Sequence, residues 1–460
     1  MAIYMRTGST ILAALSILIL VAAMGAYRAV AQCEGQDPGS LPEIRNPLAA
    51  NNAFPLAPDL AEPAAGQSFR DPWTDVCITR VTETSRMRHF YSRIDPYNAD
   101  QTLIVLHDTS GGWYHVFRTD SPPYARPENQ VGERFSMDDP RWDPEDPNLL
   151  WAVDGFELVI LDLATGTRIV VKDFSQDPVV GPVIAAEPDL YRVTVMYEGE
   201  PSRDFRWWAF ALQGTEQDYR LRHLLCWDRA EDKVVGFRTL SPEESDIDWV
   251  GMSPLGTHVV VGAMYDNGGE ITGLCIADHE LKLFHRVNYG VAHSDVGLDT
   301  RGNEVIVMQN TRTDFVDMMP LTTTTLPIME PGGDYEGTGH IPLARLNYSS
   351  SSPDSLASSG LHICCNTPGW CLITPHIQPD APERNWMDRT IILVRLDPEA
   401  PKVYALAKLH HDSLEYWEET QGVMTNDGSR VLWISNWGRD PGSNMVSLME
   451  ALVPPALLAP

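Results

Sequence analysis

The residues in this chain best suited to chemistry stand at fixed distances ahead of a recurring turn. Six residues before three of these turns lie His89, His293 and Glu419; four before five of them lie Tyr91, Asp139, Asp295, His362 and Gln421. An even offset keeps such residues on one face of an extended strand, because side chains alternate along it. Imidazoles joined by a carboxylate and an amide oxygen make a donor set for a divalent metal such as Mn, Fe, Zn or Ca. On that reading His293, Asp295, His362 and Gln421 are the ligands. The same set also suits acid–base work, with His89 and Tyr91 moving protons while Arg88, Arg93 or Arg141 neutralises a substrate carboxylate. Masking that charge makes the neighbouring C–H proton removable, which is what β-elimination of a uronate needs. The competing reading is structural: polar residues on inner strands hydrogen-bond between sheets and stiffen a ring.

The elements that would position these residues repeat along the chain. The turns are Asp95-Pro96-Tyr97-Asn98, Asp143-Pro144-Glu145-Asp146, Glu187-Pro188-Asp189, Ser253-Pro254-Leu255-Gly256, Asp299-Thr300-Arg301-Gly302, Asn366-Thr367-Pro368-Gly369 and Thr425-Asn426-Asp427-Gly428. Each is followed by a short β-rich run such as Val259-Val260-Val261 or Val431-Leu432-Trp433-Ile434. Turn starts are 48, 44, 66, 46, 67 and 59 residues apart, enough in each unit for four short antiparallel strands and their loops. Seven such units predict an all-β, seven-bladed propeller forming a single domain over residues 73–450. The segment Asp75–Val81 resembles the run before the fifth turn and is expected to be the outer strand of the last blade, closing the ring and hiding a sheet edge. The two long units carry insertions, 198–222 and 314–359, expected to form loops over one mouth of the channel.

On these turns, notably Asn426-Asp427-Gly428-Ser429-Arg430-Val431 and Asp299-Thr300-Arg301-Gly302-Asn303-Glu304-Val305, the chain resembles seven-bladed propellers of the TolB-like, WD-repeat-like and oligogalacturonate-lyase-like kind. The resemblance implies a scaffold that hosts lyases, hydrolytic enzymes and pure binding modules alike. Oligogalacturonate lyases place histidines and a Gln around a metal in the central funnel. His293, His362 and Gln421 match by residue type, and His89 would be a further ligand or the base. The Gln–His–His cluster of that family has no counterpart here, so the match is one of residue type and position. Two function classes follow: engagement of carbohydrate at the funnel, extending to metal-assisted lyase cleavage, and a non-catalytic binding or assembly propeller with a protein or glycan partner.

Composition sets the address and excludes some partners. Residues 1–31 have a positive Arg6, an uncharged apolar run Ile11–Met24 and an Ala29-Val30-Ala31 cleavage pattern, as in a secretory signal. The expectation is a secreted or periplasmic protein without membrane insertion after cleavage. A Pro- and Ala-rich leader follows over 32–72, and residues 451–460 form a tail. The chain has 34 Lys and Arg against 63 Asp and Glu, a net charge of −29, which becomes −31 when Arg6 and Arg28 leave with the signal. Nucleic acid is excluded as a partner by that balance, and an acidic glycan requires local arginines to reverse the field. Seven cysteines, an odd number, leave at least one thiol outside any intrachain disulfide, and Cys364-Cys365-x5-Cys371 is expected to hold a local one. His410-His411-Asp412 reads as a surface loop, and Trp113, Trp207, Trp208, Trp370, Trp386, Trp417, Trp433 and Trp437 as blade core or sugar platforms.

Overall fold

The computed structural model describes residue 33 and residues 39–49, 60–263, 269–288, 293–310, 315–321, 339–346, 360–375 and 389–458. The signal segment, Trp386 and most of the second insertion lie outside these residues. Seven antiparallel sheets make the fold, six of four strands and one of five. It is the expected seven-bladed propeller. The innermost strands of blades 1 to 7 are Met87–Arg88, Asp138–Trp142, Leu190–Thr194, Ile247–Met252, Ser294–Leu298, Leu361–Cys364 and Val423–Met424. We call the end where the chain enters these strands the entry mouth of the channel, and the opposite end, where the repeated turns lie, the exit mouth.

Period-two alternation explains how one blade adheres to two neighbours. In blade 4, Val259 and Val261 pack with Ala209, Ala211 and Leu224 of blade 3, whereas Val260 packs with Ile306, Met308 and Met319 of blade 5. Both faces of these strands are covered, so they read as continuous apolar runs. Each buried valine contributes about 1.5–3 kcal/mol, and the same interlock recurs between blades around the ring.

The last blade closes the ring as expected. Cys77–Arg80 pairs with the C-terminal strand Ser447–Leu452, Ile78 opposite Ala451 and Arg80 opposite Met449. A further strand, Ser68–Arg70, adds outside it. The seam carries a polar knot: buried Glu450 accepts from Tyr97, from Tyr124 at 3.2 Å and from Arg430 at 2.9 Å. Part of the leader is also structural. Ile44 donates to Val403 and Pro42 accepts from Ala405 along the outer strand of blade 6, and Pro47 accepts from Arg345 of blade 5. Cys33–Cys77 ties the leader to the closing blade, and Cys365–Cys371 is the local disulfide. Cys226, Cys275 and Cys364 are buried thiols.

Two turns differ from the sequence reading, and both differences move side chains. In blade 3, Glu187-Pro188-Asp189 comes ahead of the inner strand rather than after it. The equivalent turn begins at Ser202, whose Oγ accepts from the Trp207 N–H at 2.9 Å, as Ser253 Oγ does from His258 at 3.0 Å. Much of the 198–222 segment is therefore the blade strand Trp207–Gly214 and not an insertion. In blade 1, Asn98 makes the equivalent bond to the Leu103 N–H at 2.9 Å, so the turn starts three residues later than Asp95. The histidine pair after blade 6 is also packed rather than surface-exposed: His411 is buried, and His410 stacks on Trp437 at 4.3 Å.

Candidate functional site

The entry mouth gathers side chains from five blades. His293, just ahead of the blade 5 inner strand, and His362, within that of blade 6, meet edge to face with ring centroids 4.5 Å apart. His362 Nε2 lies 2.7 Å from Glu419 Oε2, and Glu419 comes from the loop leading into blade 7. The Tyr91 ring of blade 1 stands edge-on to His362 at 5.7 Å. Tyr91 is in turn close enough to Glu198 to feel its charge, and Glu198 pairs with Arg93 at 2.5 Å. Tyr416, 46% exposed, stands close enough to Glu198 and Glu419 to feel their charges, and the 39% exposed Trp417 beside it packs on Arg88 and His107 of blade 1.

Glu198 is the residue the sequence reading missed. Counting four back from the true blade 3 turn at Ser202 reaches it, so the positional rule held and the wrong turn concealed it. Two glycines let it into the channel. A Cβ on Gly199 would stand 1.8 Å from the Val250 carbonyl oxygen, and one on Gly251 would stand 2.7 Å from the Glu200 nitrogen. The segment therefore lies directly on the inner strand of blade 4, fixed by Met252 N–H to Glu200 O at 2.7 Å. Asp139, in left-handed backbone at φ 52°, braces the same segment by accepting from Val195 N–H and Thr194 Oγ1, each at 3.1 Å, and from Tyr197 N–H at 3.0 Å.

Burial governs the electrostatics. It pushes His293 down to about 3, assisted by the neighbouring His362, so that imidazole is neutral. It lifts Glu198 to about 7 against the pull of Arg93, with Asp248 adding to the rise. Asp295 rises to about 6 for the same reason, again opposed by Arg93. The Tyr91 phenol is driven well above its ordinary value by burial and by Glu198, so it keeps its proton. Arg93 stays charged, held above its usual value by Glu198, Asp295, Tyr91 and Asp248 despite its burial.

The other predicted residues are placed differently. His89 is fully buried in the seam between blades 1 and 7, its Nε2 on the Gln421 carbonyl, and burial with Arg88 beside it lowers it to about 3. The three-residue shift of the blade 1 turn is the reason it does not join His293. Gln421, in left-handed backbone at φ 39°, offers its side-chain oxygen to Arg88, whose other donors go to His89 O at 3.1 Å and Trp417 O at 2.8 Å. Asp295 accepts from Val296 N–H at 2.8 Å and from Cys365 N–H at 2.6 Å. Arg141 is spent on Glu200 at 3.1 Å and on the carbonyls of Pro140, Tyr197 and Gly199.

This arrangement tests the metal reading. Of the four predicted ligands only His293 and His362 converge; Gln421 Oε1 and both Asp295 oxygens already accept protein donors, with Arg88 and Arg93 close by. Among the described residues no three His, Cys, Asp or Glu side chains form a metal-holding group. The predicted set does not fit a divalent ion.

Solved structures share the architecture. An oligogalacturonate lyase in complex with manganese superposes with a TM-score of 0.54 at 12% identity, covering 85% of this chain and 97% of that one. An oligogalacturonate lyase from Vibrio parahaemolyticus gives 0.52 at 12% identity, covering 84% and 96%. The likeness is one of fold. No protein-family model matches the sequence, and neither does any curated protein.

Proposed function

We propose that this propeller engages an acidic carbohydrate at its entry mouth and cleaves it by β-elimination. The observation that carries the reading is the His362–Glu419 pair at 2.7 Å, set beside Tyr91 and near the exposed Tyr416. A carboxylate holding one imidazole nitrogen orients the ring and stabilises the cation it becomes, which makes His362 the base. His362 takes the proton beside the uronate carboxylate, the freed pair forms the C4–C5 double bond, and the C4–O4 bond breaks. Tyr91, which retains its proton, supplies it to the departing oxygen. Arg93 meets the substrate carboxylate when Glu198 accepts a proton and releases it. Tyr416 and Trp417 offer sugar rings an apolar face. The fold shared with oligogalacturonate lyases supports the substrate class, and a secreted or periplasmic location would bring the protein to such polymers. No step runs through a metal, because the predicted donors do not converge on one.

The purified mature chain, given polygalacturonate and other uronans, is expected to produce the ultraviolet absorbance of an unsaturated uronate. His362→Ala should abolish it, and Tyr91→Phe should lower it by about a hundredfold or more. No absorbance on any uronan sinks the proposal. Binding without cleavage is the second reading. It is favoured by one observation: Arg88, Arg93 and Arg141 are all engaged within the protein.

A further inference from the structure

The exit mouth holds a cavity of about 420 Å³ walled by residues of all seven blades, including Trp142, Phe205, Asn366 and Asn426. That volume is within the range of small-molecule sites. Its carboxylates are already occupied. Asp95 accepts from Tyr97 N–H at 3.0 Å and Asn426 N–H at 2.8 Å, and Asp295 accepts from two backbone N–H groups. Glu200 pairs with Arg141, Asp143 takes Glu145 N–H and Trp151 Nε1, and Asp427 takes Gln101 and Ser429. Burial also lifts Asp95 and Glu200 to about 7, so part of the negative charge is neutralised near neutral pH.

Of the three arginines that line the cavity, Arg93 pairs with Glu198 and Arg141 with Glu200, which leaves Arg203. It lines the cavity, gives one donor to the Asn366 carbonyl and makes no ion pair among the described residues. A guanidinium has five N–H donors, and one half-buried without a carboxylate partner is a ready anion receptor. Beside it, the Asn426 side-chain amide and Asn366 Oδ1 have no hydrogen-bond partner among the described residues, the Asn366 amide nitrogen being on Met424 O at 3.0 Å. Trp142 and Phe205 add apolar surface to the wall.

We propose that the exit cavity is a second binding site, for a small hydroxylated anion of sugar-acid size. Arg203 receives the anionic group, and Asn426 and Asn366 receive hydroxyls. His362, Glu419, Tyr91 and Glu198 do not line this cavity, although Arg93, which pairs with Glu198, reaches its inner end. Titration calorimetry of the mature chain with D-glucuronate, glucose 6-phosphate and D-glucose tests it. Both anions, or one of them, should bind, and the stronger identifies whether a carboxylate or a phosphate is preferred. Arg203→Gln should weaken that binding at least about tenfold, while His362→Ala leaves it unchanged even though it removes turnover. Asn426→Ala, at an exposed turn, should weaken it severalfold and serves if Arg203→Gln fails to fold. Glucose binding as tightly as the anions, or anion binding unaltered in either exit-mouth variant, overturns the proposal.

Discussion

Glu198→Gln probes how an acidic protein could hold an acidic substrate. Arg93 is 3% and Glu198 15% exposed at the side chain, and at 2.5 Å the pair leaves little of the guanidinium charge for a ligand. Glu198 is lifted to about 7 because burial, Asp248 and Asp295 outweigh Arg93 and Tyr91. A carboxyl with that value is protonated in roughly one molecule of eleven at pH 8 and in ten of eleven at pH 6. If Arg93 accepts a uronate only when Glu198 is neutral, affinity should rise by about tenfold as pH falls from 8 to 6. Glutamine retains the shape and stays neutral throughout, so the variant should bind at pH 8 about as tightly as the parent does at pH 6. Glu200 and Asp295 titrate nearby, but they are present in both proteins and cancel in the ratio. The measurement is calorimetric binding of trigalacturonate at both pH values in a His362→Ala background, which prevents turnover. An equal pH dependence in parent and variant would refute the release of Arg93 by Glu198.

Gly199→Ala should disturb the same centre through the backbone, since its Cβ would fall 1.8 Å from the Val250 oxygen. We expect a loss of about 2 kcal/mol or more in chemical denaturation, and a fall in turnover larger than that caused by loss of folded protein. Cys33→Ser removes a disulfide spanning 44 residues, which is worth about 4 kcal/mol on the chain-entropy estimate. The transition should move to lower denaturant accordingly, and adding reductant to the variant should change it much less than it changes the parent.

Much of the ring was legible in the sequence because its causes are local. Turn residues such as Asn426-Asp427-Gly428 set chain reversals, and runs such as Val259-Val260-Val261 mark strands covered on both faces. The closing strand at Cys77–Arg80 was legible by its likeness to an outer strand elsewhere in the chain. The site was legible in half. His293 and His362 share the entry mouth as the register implied, Tyr91 joins them although its turn begins three residues later than the sequence reading placed it, and His89 and Gln421 are bound into the seam between blades 1 and 7.

What the sequence by itself determined is the number of units, the alternation that buries them and the kinds of side chain on their inner strands. What only the tertiary structure decided is which of those side chains meet. A turn displaced by three residues at Asn98, and another recognisable only from the bonds of Ser202, redirect His89 and Glu198. The partners of Arg88, Arg93 and Arg141 come from other blades, far along the chain. The physical reason is that strand periodicity is a property of neighbours in sequence, whereas a buried charge must find its partner across the channel, wherever the closed ring places one.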